Sequence, residues 1–531
     1  MENAHREPQL EPAATTWSVL ATAAAERPEA VGFVARFGDD TERAVTYREW
    51  HEQVRALAGG LAHRYGVAPG DRVVWLLGNP EAGQALLLYH ALGLLGAISV
   101  PVNPRTSPAE LGSVVATCQP RLCLAADRLA ALVDAALPGN GIPKLLLAAG
   151  AADPGAIAGD HPVPDPAGRA DDPVVLLFTS GTSGRPKGVV HTHRSALAAG
   201  AGWAGCFRLT EQDRYQSPFP IFSGAGLHFS GLACLLAGTT YLPEEFEAGA
   251  TVARLARSGA TVFAAVPTVY QLLVDRASEA FTGERLPALR LFDYGGAPMP
   301  VGLVRELAAR FPAVALVQTY GLTEAGPGGT YLPAEHALSK LGALGLRPAG
   351  QHTRLRVVDE QLRDVPHGTP GELLISGPAV MAGYYRDPEA TAEVLRDGWL
   401  RTGDIVRRDA DGFLYYLDRR KDLIIRGGYN VSSIQVEEVL RQHPQVADAA
   451  VVGVPDPVLG EEIAAFVVPV AGARPAATAL IDHCAARLAD YQVPRRVLLT
   501  DELPRNTAGK VLKRALRDRI SADAAPPKGN A

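Results

Sequence analysis

The residues with the clearest capacity for chemistry lie in one short stretch, which reads VVLLFTSGTSGRPKGVV from Val174 to Val190. An apolar run up to Phe178 predicts a buried strand, and polar residues begin at Thr179. The stretch then contains hydroxyl side chains, glycines and one lysine: Thr179, Ser180, Thr182, Ser183, Gly181, Gly184, Gly188 and Lys187. Glycines let backbone N–H groups turn toward an anion, hydroxyls donate hydrogen bonds, and lysine adds a positive charge. This composition predicts a polyphosphate-binding loop.

The loop differs from a Walker A loop, in which Gly-Lys-Ser/Thr follows a first glycine and a four-residue spacer. Here Pro186 precedes Lys187 and Gly188 follows it. A surface turn between two strands is the alternative, because Gly, Ser and Pro are also the usual turn residues. The stretch by itself leaves both interpretations open.

Two later segments repeat the design of an apolar strand followed by a polar or glycine-rich turn. The first, 289–298, ends in Gly-Gly-Ala-Pro, where backbone without side chains could hold a flat heterocycle, although an ordinary strand-to-helix turn has the same composition. The second, 315–324, ends in Thr323 and Glu324. If Glu324 lies beside the phosphate loop, a divalent cation must bridge its carboxylate and the phosphates. The alternative interpretation of Thr323 and Glu324 is a helix N-cap followed by an acidic first turn.

Three charged positions lie farther along the chain. Asp404 ends the segment WLRTGD, and a carboxylate there can accept hydrogen bonds from ribose hydroxyls while a nearby arginine adds donors. The charge run 418–422 is equally typical of a solvated turn, and its place before an apolar segment suits a hinge. Lys510 follows a glycine in the segment 503–510, and its spacing alone indicates only a solubilising charge.

The elements that must position these residues follow a parallel-sheet rhythm. Strand, helix and strand alternate from Trp17 to about Ala170, and a buried strand at 261–266 resumes the pattern, which predicts parallel βαβ units. From Gly350 short β segments with turn residues predict a β-rich subdomain, and the last hundred or so residues predict a compact α+β unit. A chain of 531 residues also exceeds what one hydrophobic core supports. The predicted fold class is therefore α/β with more than one domain.

Composition excludes several other classes. A formal net charge of −6 provides no basic surface for nucleic acid. The five cysteines have no Cys-x-x-Cys spacing, which argues against metal ligation and disulfides and fits a reducing cytoplasm. The first residues lack the basic-then-apolar order of a secretory signal. The apolar segment 85–102 is long enough for a membrane helix, but Gly96 and Pro101 favour a helix over 85–95 followed by a strand over 97–102.

Together the motifs resemble those of the acyl-adenylate-forming superfamily, which contains acyl-CoA synthetases, carrier-loading adenylation domains and firefly luciferases. In chain order the matching motifs are TSGTSGRPKG from Thr179, YGLTE from Tyr320, RTGD from Arg401, DRRKD from Asp418 and PRNTAGK from Pro504. The resemblance covers the chain from about Trp17 to Ile520. A motif set in this order is far more specific than any one of its members.

The resemblance implies a large N-terminal domain over 1–420, made of βαβ layers and a β-rich subdomain, and a small mobile α+β domain over 421–531. It implies a two-step reaction that uses ATP, Mg²⁺ and coenzyme A. In the first step the carboxylate of a small acid attacks the α-phosphorus of ATP and releases pyrophosphate. In the second step a thiol attacks the acyl-adenylate and releases AMP. Because an anion meets a polyanion in the first step, catalysis depends on positioning and charge neutralisation.

The resemblance also implies a role for each matching residue. The β- and γ-phosphates would be held by Thr179, Ser180, Gly181, Thr182, Ser183, Gly184 and Lys187. The α-phosphate and Mg²⁺ would meet Thr323 and Glu324, with Thr179 as a further metal ligand. The adenine would lie against Gly295, Gly296, Ala297, Pro298 and Tyr320, and the ribose against Asp404 and Arg419. Lys510 would bridge the substrate carboxylate and the α-phosphate, Lys421 would be the hinge, and Gly427 and Gly428 would face the thiol.

Two positions depart from the family pattern. Ser223 stands where members commonly have a histidine that gates the acyl site. The sequence Ser-Ser-Ile-Gln at 432–435 stands where many relatives have Tyr-Pro-Ala-Glu, although Glu437 is retained. Both departures concern the acid and the thiol rather than ATP binding.

The sequence therefore predicts a cytoplasmic ATP-dependent acid–thiol ligase that transfers the acyl group to coenzyme A. A stand-alone enzyme that loads a carrier protein is the alternative, and luciferase chemistry is a remote one. Retention of Lys510, Glu324 and Asp404 argues against a non-catalytic nucleotide sensor. The resemblance places the acid between the segments 222–231, 294–297 and 321–329, whose composition suits an aryl or a medium-sized aliphatic acid. We expect a monomer or homodimer that binds no nucleic acid and has no transmembrane segment.

Overall fold

The computed structural model describes residues 7–137, 139, 141–149, 161–179, 186–420, 422–427, 429–505 and 511–523. The chain divides into two compact units. The first comprises Met1–Arg356 and Leu374–Arg401, and the second comprises Val357–Leu373 and Thr402–Ala531. The α/β class with a large N-terminal and a small C-terminal part is confirmed. The domain boundary after residue 420 remains a prediction.

The first unit contains a nine-stranded sheet whose six central strands run parallel. In spatial order its strands are Arg347–Pro348, Gly329–Leu332, Ala315–Gly321, Leu291–Gly295, Val262–Ala265, Arg214–Ser217, Thr240–Pro243, Val31–Ala35 and Arg43–Thr46. Parallel strands are covered on both faces and are therefore apolar along most of their length. The carboxyl ends of the central strands lie at one edge, where ligands of such sheets bind.

A second sheet of seven strands lies in the same unit. In spatial order its strands are Gly383–Tyr384, Lys187–Thr192, Pro173–Thr179, Ile98–Pro101, Arg72–Leu76, Leu122–Ala126 and Lys144–Leu147. The last five run parallel to one another, whereas Lys187–Thr192 is antiparallel to both of its neighbours, Gly383–Tyr384 and Pro173–Thr179. The predicted strand at 174–178 is therefore confirmed, and it pairs antiparallel with the strand Lys187–Thr192.

Helices connect and cover these strands. The α-helices of the first unit are Thr16–Glu26, Tyr47–Tyr65, Ala82–Leu95, Pro108–Cys118, Ala130–Ala136, His193–Cys206, Ala233–Ala237, Ala248–Ser258, Pro267–Arg276, Val301–Arg310 and Pro388–Val394. The segment Ala225–Leu232 is a π-helix, and short 3₁₀ turns lie at Asn79–Glu81, Asp127–Leu129, Thr323–Ala325 and Ala334–His336.

The apolar segment 85–102 folds as its glycine predicts. The helix Ala82–Leu95 is buried along its whole length and ends at Gly96, whose φ of 67° is the left-handed conformation that glycine adopts without strain. The strand Ile98–Pro101 follows at once. Across the described ranges the structure contains no helix of the length and hydropathy needed to cross a membrane.

Arg354–Val358 and Trp399–Arg408 begin in the first unit and end in the second, whereas Pro370–Ser376 begins in the second and ends in the first. The second unit continues with Leu414–Arg419, which pairs antiparallel with the end of Trp399–Arg408. Its other strands are Ile424–Arg426, Tyr429–Val431, Val446–Asp456, Gly460–Pro469 and Arg496–Leu499, and its helices are Ser433–Arg441, Ala477–Ala485 and Lys513–Asp523. Val436, Leu440 and Leu480 pack with the strand residues Val451 and Ile463 into one core. The predicted α+β unit is confirmed.

Candidate active site

The two strands that flank the predicted phosphate loop in the sequence pair with each other. The strands Pro173–Thr179 and Lys187–Thr192 are antiparallel, and Thr179 pairs with Lys187. This pairing places the residue with a hydroxyl, Thr179, directly opposite the residue with an ammonium group, Lys187. The remaining predicted loop residues Ser180, Gly181, Thr182, Ser183 and Gly184 lie outside the described residues.

Lys187 and Glu324, which are far apart in sequence, both contact one tyrosine. The ammonium of Lys187 lies 4.9 Å from the centre of the Tyr384 ring. The hydroxyl of Tyr384 donates to Oε1 of Glu324 over 3.0 Å. A cation over an aromatic face and a hydrogen bond to a carboxylate both restrict side-chain motion. The predicted phosphate lysine and the predicted metal carboxylate are therefore held by a common partner.

Backbone pairing explains how Tyr384 reaches this place. The strand Gly383–Tyr384 adds to the edge strand Lys187–Thr192, with Tyr384 opposite Val189. The backbone N–H of Met381 donates to the carbonyl oxygen of Glu324 over 2.9 Å. One short segment therefore joins the strand Lys187–Thr192 to the turn that carries Glu324.

Thr323 and Glu324 begin a 3₁₀ turn directly after the strand Ala315–Gly321. The Nε2 of His191 lies 2.7 Å from the carbonyl oxygen of Thr323, and because that oxygen can only accept, Nε2 carries the proton. Burial lowers the pKa of His191 to about 4, so its ring is neutral at neutral pH. This histidine fixes the backbone beside Glu324, and its low pKa makes it a weak base.

The Gly-Gly-Ala-Pro turn follows the strand Leu291–Gly295 at the same sheet edge. A Cβ on Gly295 would lie 2.3 Å from Oγ1 of Thr319, so a larger residue does not fit there. Gly296 has φ of 76°, which favours glycine, and it is exposed together with Ala297 and Pro298. Tyr320, which is partly exposed, follows Thr319 on the neighbouring strand. Exposed backbone next to an aromatic ring can accommodate a flat heterocycle.

The segment after Ser223 forms the π-helix Ala225–Leu232, a rare conformation that is frequent at functional sites. Ser223 closes the turn before this helix: its hydroxyl donates to the carbonyl oxygen of Pro220 over 2.7 Å and accepts from the backbone N–H of Gly226 over 3.2 Å. His228 is fully buried on this helix, with Nε2 3.3 Å from the hydroxyl of Tyr89 and its ring 5.4 Å from that of His191. Burial lowers the pKa of His228 to about 3, so it too is neutral.

In the second unit Asp404 and Arg419 pair across two antiparallel strands. The Nε of Arg419 lies 2.7 Å from Oδ1 of Asp404, whose side chain is 3% exposed whereas that of Arg419 is 42% exposed. The predicted ribose pair is thus brought together. The charge run at 418–422 is not a uniformly solvated turn, because Asp418 is buried and accepts hydrogen bonds from the backbone and hydroxyl of Ser433.

Gly427, the predicted thiol-side glycine, has φ of 57° and donates its N–H to the carbonyl oxygen of Leu459 over 2.7 Å. Its neighbour Gly428, the hinge residue Lys421 and the adenylation lysine Lys510 lie outside the described residues. Arg505 and Val511, on either side of the Lys510 segment, pair with each other in an antiparallel bridge.

Sequence reasoning missed Tyr384 and His191, which the structure places against Glu324 and Thr323. Both lie in ordinary strand sequences, GYYRDPEAT and KGVVHTH, which have no spacing that connects them with the segment 320–324. Only pairing between distant strands reveals these contacts.

Comparison with known proteins agrees with this arrangement. The family model for AMP-binding enzymes matches residues 20–385, and the model for the AMP-binding enzyme C-terminal domain matches residues 435–510. The chain belongs to the AMP-binding enzyme family. It thus falls within the acyl-adenylate-forming superfamily, as its motifs predict.

Individual relatives are similar over nearly their whole length. A feruloyl-CoA synthase of Amycolatopsis is 38% identical over 478 residues, which are 90% of this chain and 94% of that protein. A long-chain-fatty-acid–CoA ligase of Mycobacterium tuberculosis is 34% identical over 489 residues, 91% of this chain and 95% of that protein. The crystal structure of ATP-bound MatB from Rhodopseudomonas palustris superimposes with a TM-score of 0.85 at 29% identity, covering 96% of this chain and 99% of that one.

The predicted class of reaction is confirmed. The enzyme is an ATP-dependent ligase that activates a carboxylic acid as an acyl-adenylate and transfers it to coenzyme A. Loading of a carrier protein is not favoured by these relatives.

Proposed function

We propose that this enzyme is an AMP-forming ligase that joins an aryl carboxylic acid to coenzyme A, with Mg²⁺–ATP as the activating substrate. The observation that carries the proposal is the contact of Tyr384 with Lys187 in the seven-stranded sheet and with Glu324, which follows the strand Ala315–Gly321 of the nine-stranded sheet. A site that contains both an ammonium group and a carboxylate can bind a polyphosphate only if a cation binds with the polyphosphate. Without that cation the carboxylate would repel the phosphates.

A single carboxylate fits Mg²⁺ in this setting. Mg²⁺ retains several waters and is usually held by one or two carboxylates together with substrate phosphates. Within the described ranges no cluster of three or more metal-ligating side chains occurs, so a cage made of protein groups alone is not formed there. Glu324 is partly exposed and already oriented by Tyr384, and Thr179 is our second ligand. The ion would neutralise phosphate charge as pyrophosphate leaves.

The protein's own groups would do the remaining work of the first step. The loop from Thr179 to Gly184 and Lys187 would bind the β- and γ-phosphates and fix the leaving pyrophosphate. The exposed backbone of Gly296 to Pro298 and the ring of Tyr320 would orient the adenine. Asp404 and Arg419 would bind the ribose, and their mutual contact would preset both side chains. Positioning of this kind supplies most of the acceleration in phosphoryl-type transfers.

Lys510 would neutralise the charge that gathers between the acid carboxylate and the α-phosphate. Lys421 would be the pivot between the two half-reactions, and Gly427 with Gly428 would face the thiol of coenzyme A. A conformational change of this type lets one site serve two chemical steps in turn. These four assignments rest on the resemblance of the motifs.

We assign the acid to the aryl class. Among the relatives described above, the one with the higher identity is named for an aryl acid, ferulate, and the other for long-chain fatty acids. The aromatic rings of Trp203, Phe207, Phe219 and Phe229 pack around the π-helix. Such surroundings favour a flat, rigid acid. We retain a cytoplasmic location and a monomer or homodimer as predictions.

The test is pyrophosphate release from ATP with a panel of aryl and aliphatic acids, followed by detection of the CoA thioester. We expect aryl acids to give the highest kcat/KM and thioester formation to require coenzyme A and Mg²⁺. A clear preference for long aliphatic acids would refute the aryl assignment. Pyrophosphate release with transfer only to a phosphopantetheinyl carrier would refute the assignment of coenzyme A.

A further inference from the structure

Tyr384 is held by a side chain from outside its own strand. The backbone N–H of the next residue, Tyr385, donates to the carbonyl oxygen of Gly188 over 2.7 Å, beside the pairing of this segment with the strand Lys187–Thr192. The N–H of Tyr384 instead donates to Oγ1 of Thr391 over 2.9 Å. The residue that contacts the predicted phosphate lysine and the predicted metal carboxylate is therefore held by a helix residue as well as by a strand.

The hydroxyl of Thr391 uses both of its hydrogen-bonding capacities. Thr391 lies in the helix Pro388–Val394, and its hydroxyl donates to the carbonyl oxygen of Asp387 over 2.8 Å. Because that oxygen can only accept, the hydroxyl proton points to Asp387 and a lone pair of Oγ1 accepts from the N–H of Tyr384. One hydroxyl group therefore links the start of the helix to the backbone of Tyr384, and an apolar side chain of the same shape provides no such link.

Close packing accompanies this hydrogen bond. A Cβ on Gly383 would lie 2.9 Å from Cγ2 of Thr391 and 3.1 Å from its Oγ1, so a larger residue does not fit there. Gly383 is buried and has φ of 147°, which also favours glycine. The approach of Thr391 to the strand Gly383–Tyr384 is therefore set by contact as well as by the hydrogen bond.

The turn that follows Tyr384 is fixed separately. The N–H of Asp387 donates to the carbonyl oxygen of Tyr384 over 3.2 Å, which closes a four-residue turn. Within this turn Arg386 has φ of 55°, a conformation that is strained for a residue other than glycine. Its guanidinium supports the conformation, because Nη1 donates to Oε1 of Gln119 over 2.8 Å. Both backbone polar groups of Tyr384 are thus bound.

We propose that Thr391 is a positioning residue for the binding and adenylation of ATP, and that its hydroxyl acts through the backbone of Tyr384. The inference rests on the function proposed above, in which Lys187 and Glu324 serve Mg²⁺–ATP. One side-chain position of Tyr384 makes two contacts, with its ring centre 4.9 Å from the Lys187 ammonium and its hydroxyl 3.0 Å from Oε1 of Glu324. Since side chains occupy discrete rotamers, the backbone decides where this hydroxyl lies. Loss of the Thr391 hydroxyl should therefore weaken both contacts together.

The experiment compares Thr391→Val, which keeps the shape of the side chain, with Thr391→Ser, which keeps the hydroxyl. Binding of ATP to the full-length enzyme is measured by isothermal titration calorimetry with Mg²⁺ and without an acid, so that no turnover occurs. We expect Thr391→Val to raise the Kd of ATP about three- to tenfold, the range that loss of one neutral hydrogen bond produces, and Thr391→Ser to stay within about twofold of the wild type. Pyrophosphate release should show the same loss in kcat/KM for ATP with an unchanged KM for the acid.

Tyr384→Leu distinguishes positioning from a general loss of structure, because it removes both the hydroxyl and the ring through which Thr391 would act. In this background Thr391→Val should change the Kd of ATP less than twofold, since coupled residues are not additive. A merely structural role would give the same fold-change in both backgrounds. Equal fold-changes, or a wild-type Kd in Thr391→Val, would overturn the proposal. If Thr391→Val does not fold, Thr391→Ala takes its place, because alanine favours the helix and also lacks the hydroxyl.

Asp387→Ala is the matched control for the helix. The side chain of Asp387 caps the same helix by accepting from the N–H of Ala390 over 3.0 Å, whereas Thr391 bonds to the backbone carbonyl of Asp387. Loss of this cap should lower the thermal denaturation midpoint and leave the Kd of ATP within about twofold of the wild type. A Kd raised as much by Asp387→Ala as by Thr391→Val would also overturn the proposal.

Failure of the proposed function would give a different result. The wild-type enzyme would then bind ATP no more tightly with Mg²⁺ than without it, or would release no pyrophosphate with any acid. Mg²⁺-dependent binding by the wild type together with an unaffected Thr391→Val variant would overturn the role of Thr391 alone.

Discussion

Replacing Tyr384 by phenylalanine tests whether the hold on Glu324 matters for adenylation. The change removes the hydroxyl that donates to Oε1 of Glu324 over 3.0 Å and keeps the ring that lies 4.9 Å from the Lys187 ammonium. Hydrogen bonds to charged groups contribute about 1.5–3 kcal/mol. Because both side chains are partly exposed, the lower half of that range applies. At about 1.4 kcal/mol per factor of ten, kcat/KM for adenylation should fall roughly 10- to 40-fold.

The assay is pyrophosphate release as a function of Mg²⁺ and ATP concentration. If Tyr384 orients the metal carboxylate, the Mg²⁺ concentration needed for half-maximal rate should rise in Tyr384→Phe. Tyr384→Leu, which also removes the ring beside Lys187, should lose more activity than Tyr384→Phe. The order of the two variants therefore separates the hydroxyl from the ring.

Tyr385→Phe is the control, since the neighbouring tyrosine anchors the same segment through its backbone N–H, which donates to Gly188 over 2.7 Å. Its activity should stay within about twofold of the wild type, because the change removes a hydroxyl from the same segment without altering its backbone bond. The reasoning is refuted if Tyr384→Phe retains wild-type kcat/KM and Mg²⁺ dependence, or if both tyrosine variants lose activity equally.

The remaining predictions concern three charged residues. Lys510→Ala should abolish most acyl-adenylate formation and spare thioester formation from supplied acyl-adenylate, and equal loss in both half-reactions would contradict the assigned role. Asp404→Asn should raise the KM for ATP about tenfold or more, because the ribose and Arg419 both lose a charged acceptor, and an unchanged ATP dependence would reject the ribose assignment. The raised pKa of Asp293, about 8 against an ordinary 3.8, means that between these values the folded state keeps a proton that the unfolded state has released. The free energy of unfolding should therefore decline as pH rises from 5 to 8, and thermal denaturation of Asp293→Asn should show a smaller decline than the wild type; parallel curves would show that Asp293 is already ionised in the folded state.

The departure at Ser223 has a structural counterpart. The hydroxyl of Ser223 is used to close the turn before the π-helix, and a buried histidine, His228, stands five positions later on that helix. Because burial keeps His228 neutral and close to Tyr89, its role there is packing rather than proton transfer.

Local sequence was sufficient to predict many of the helices and strands, and it was the source of the candidate residues, whose roles stay predictions. The apolar run before Thr179 predicts a strand because it is too short and too continuous for a helix, and Gly96 predicts the end of the preceding helix because glycine adopts positive φ without strain. The same reasoning locates the turns at Gly295 and Thr323, since polar residues directly after parallel strands collect at one sheet edge. The order of the motifs then indicates the reaction.

Tertiary structure decided which distant residues meet and which charges are buried. Tyr384 reaches Glu324 only because a short strand pairs with the strand Lys187–Thr192, and strand pairing between remote segments leaves no spacing signal in the sequence. Asp293 has no distinguishing signal in the sequence of its apolar strand, and its pKa is raised only because folding buries it between two neighbouring strands. Residue types and local spacing determine the chemistry available to this chain, whereas pairing and burial determine which of those groups are oriented, neutral or in need of a partner.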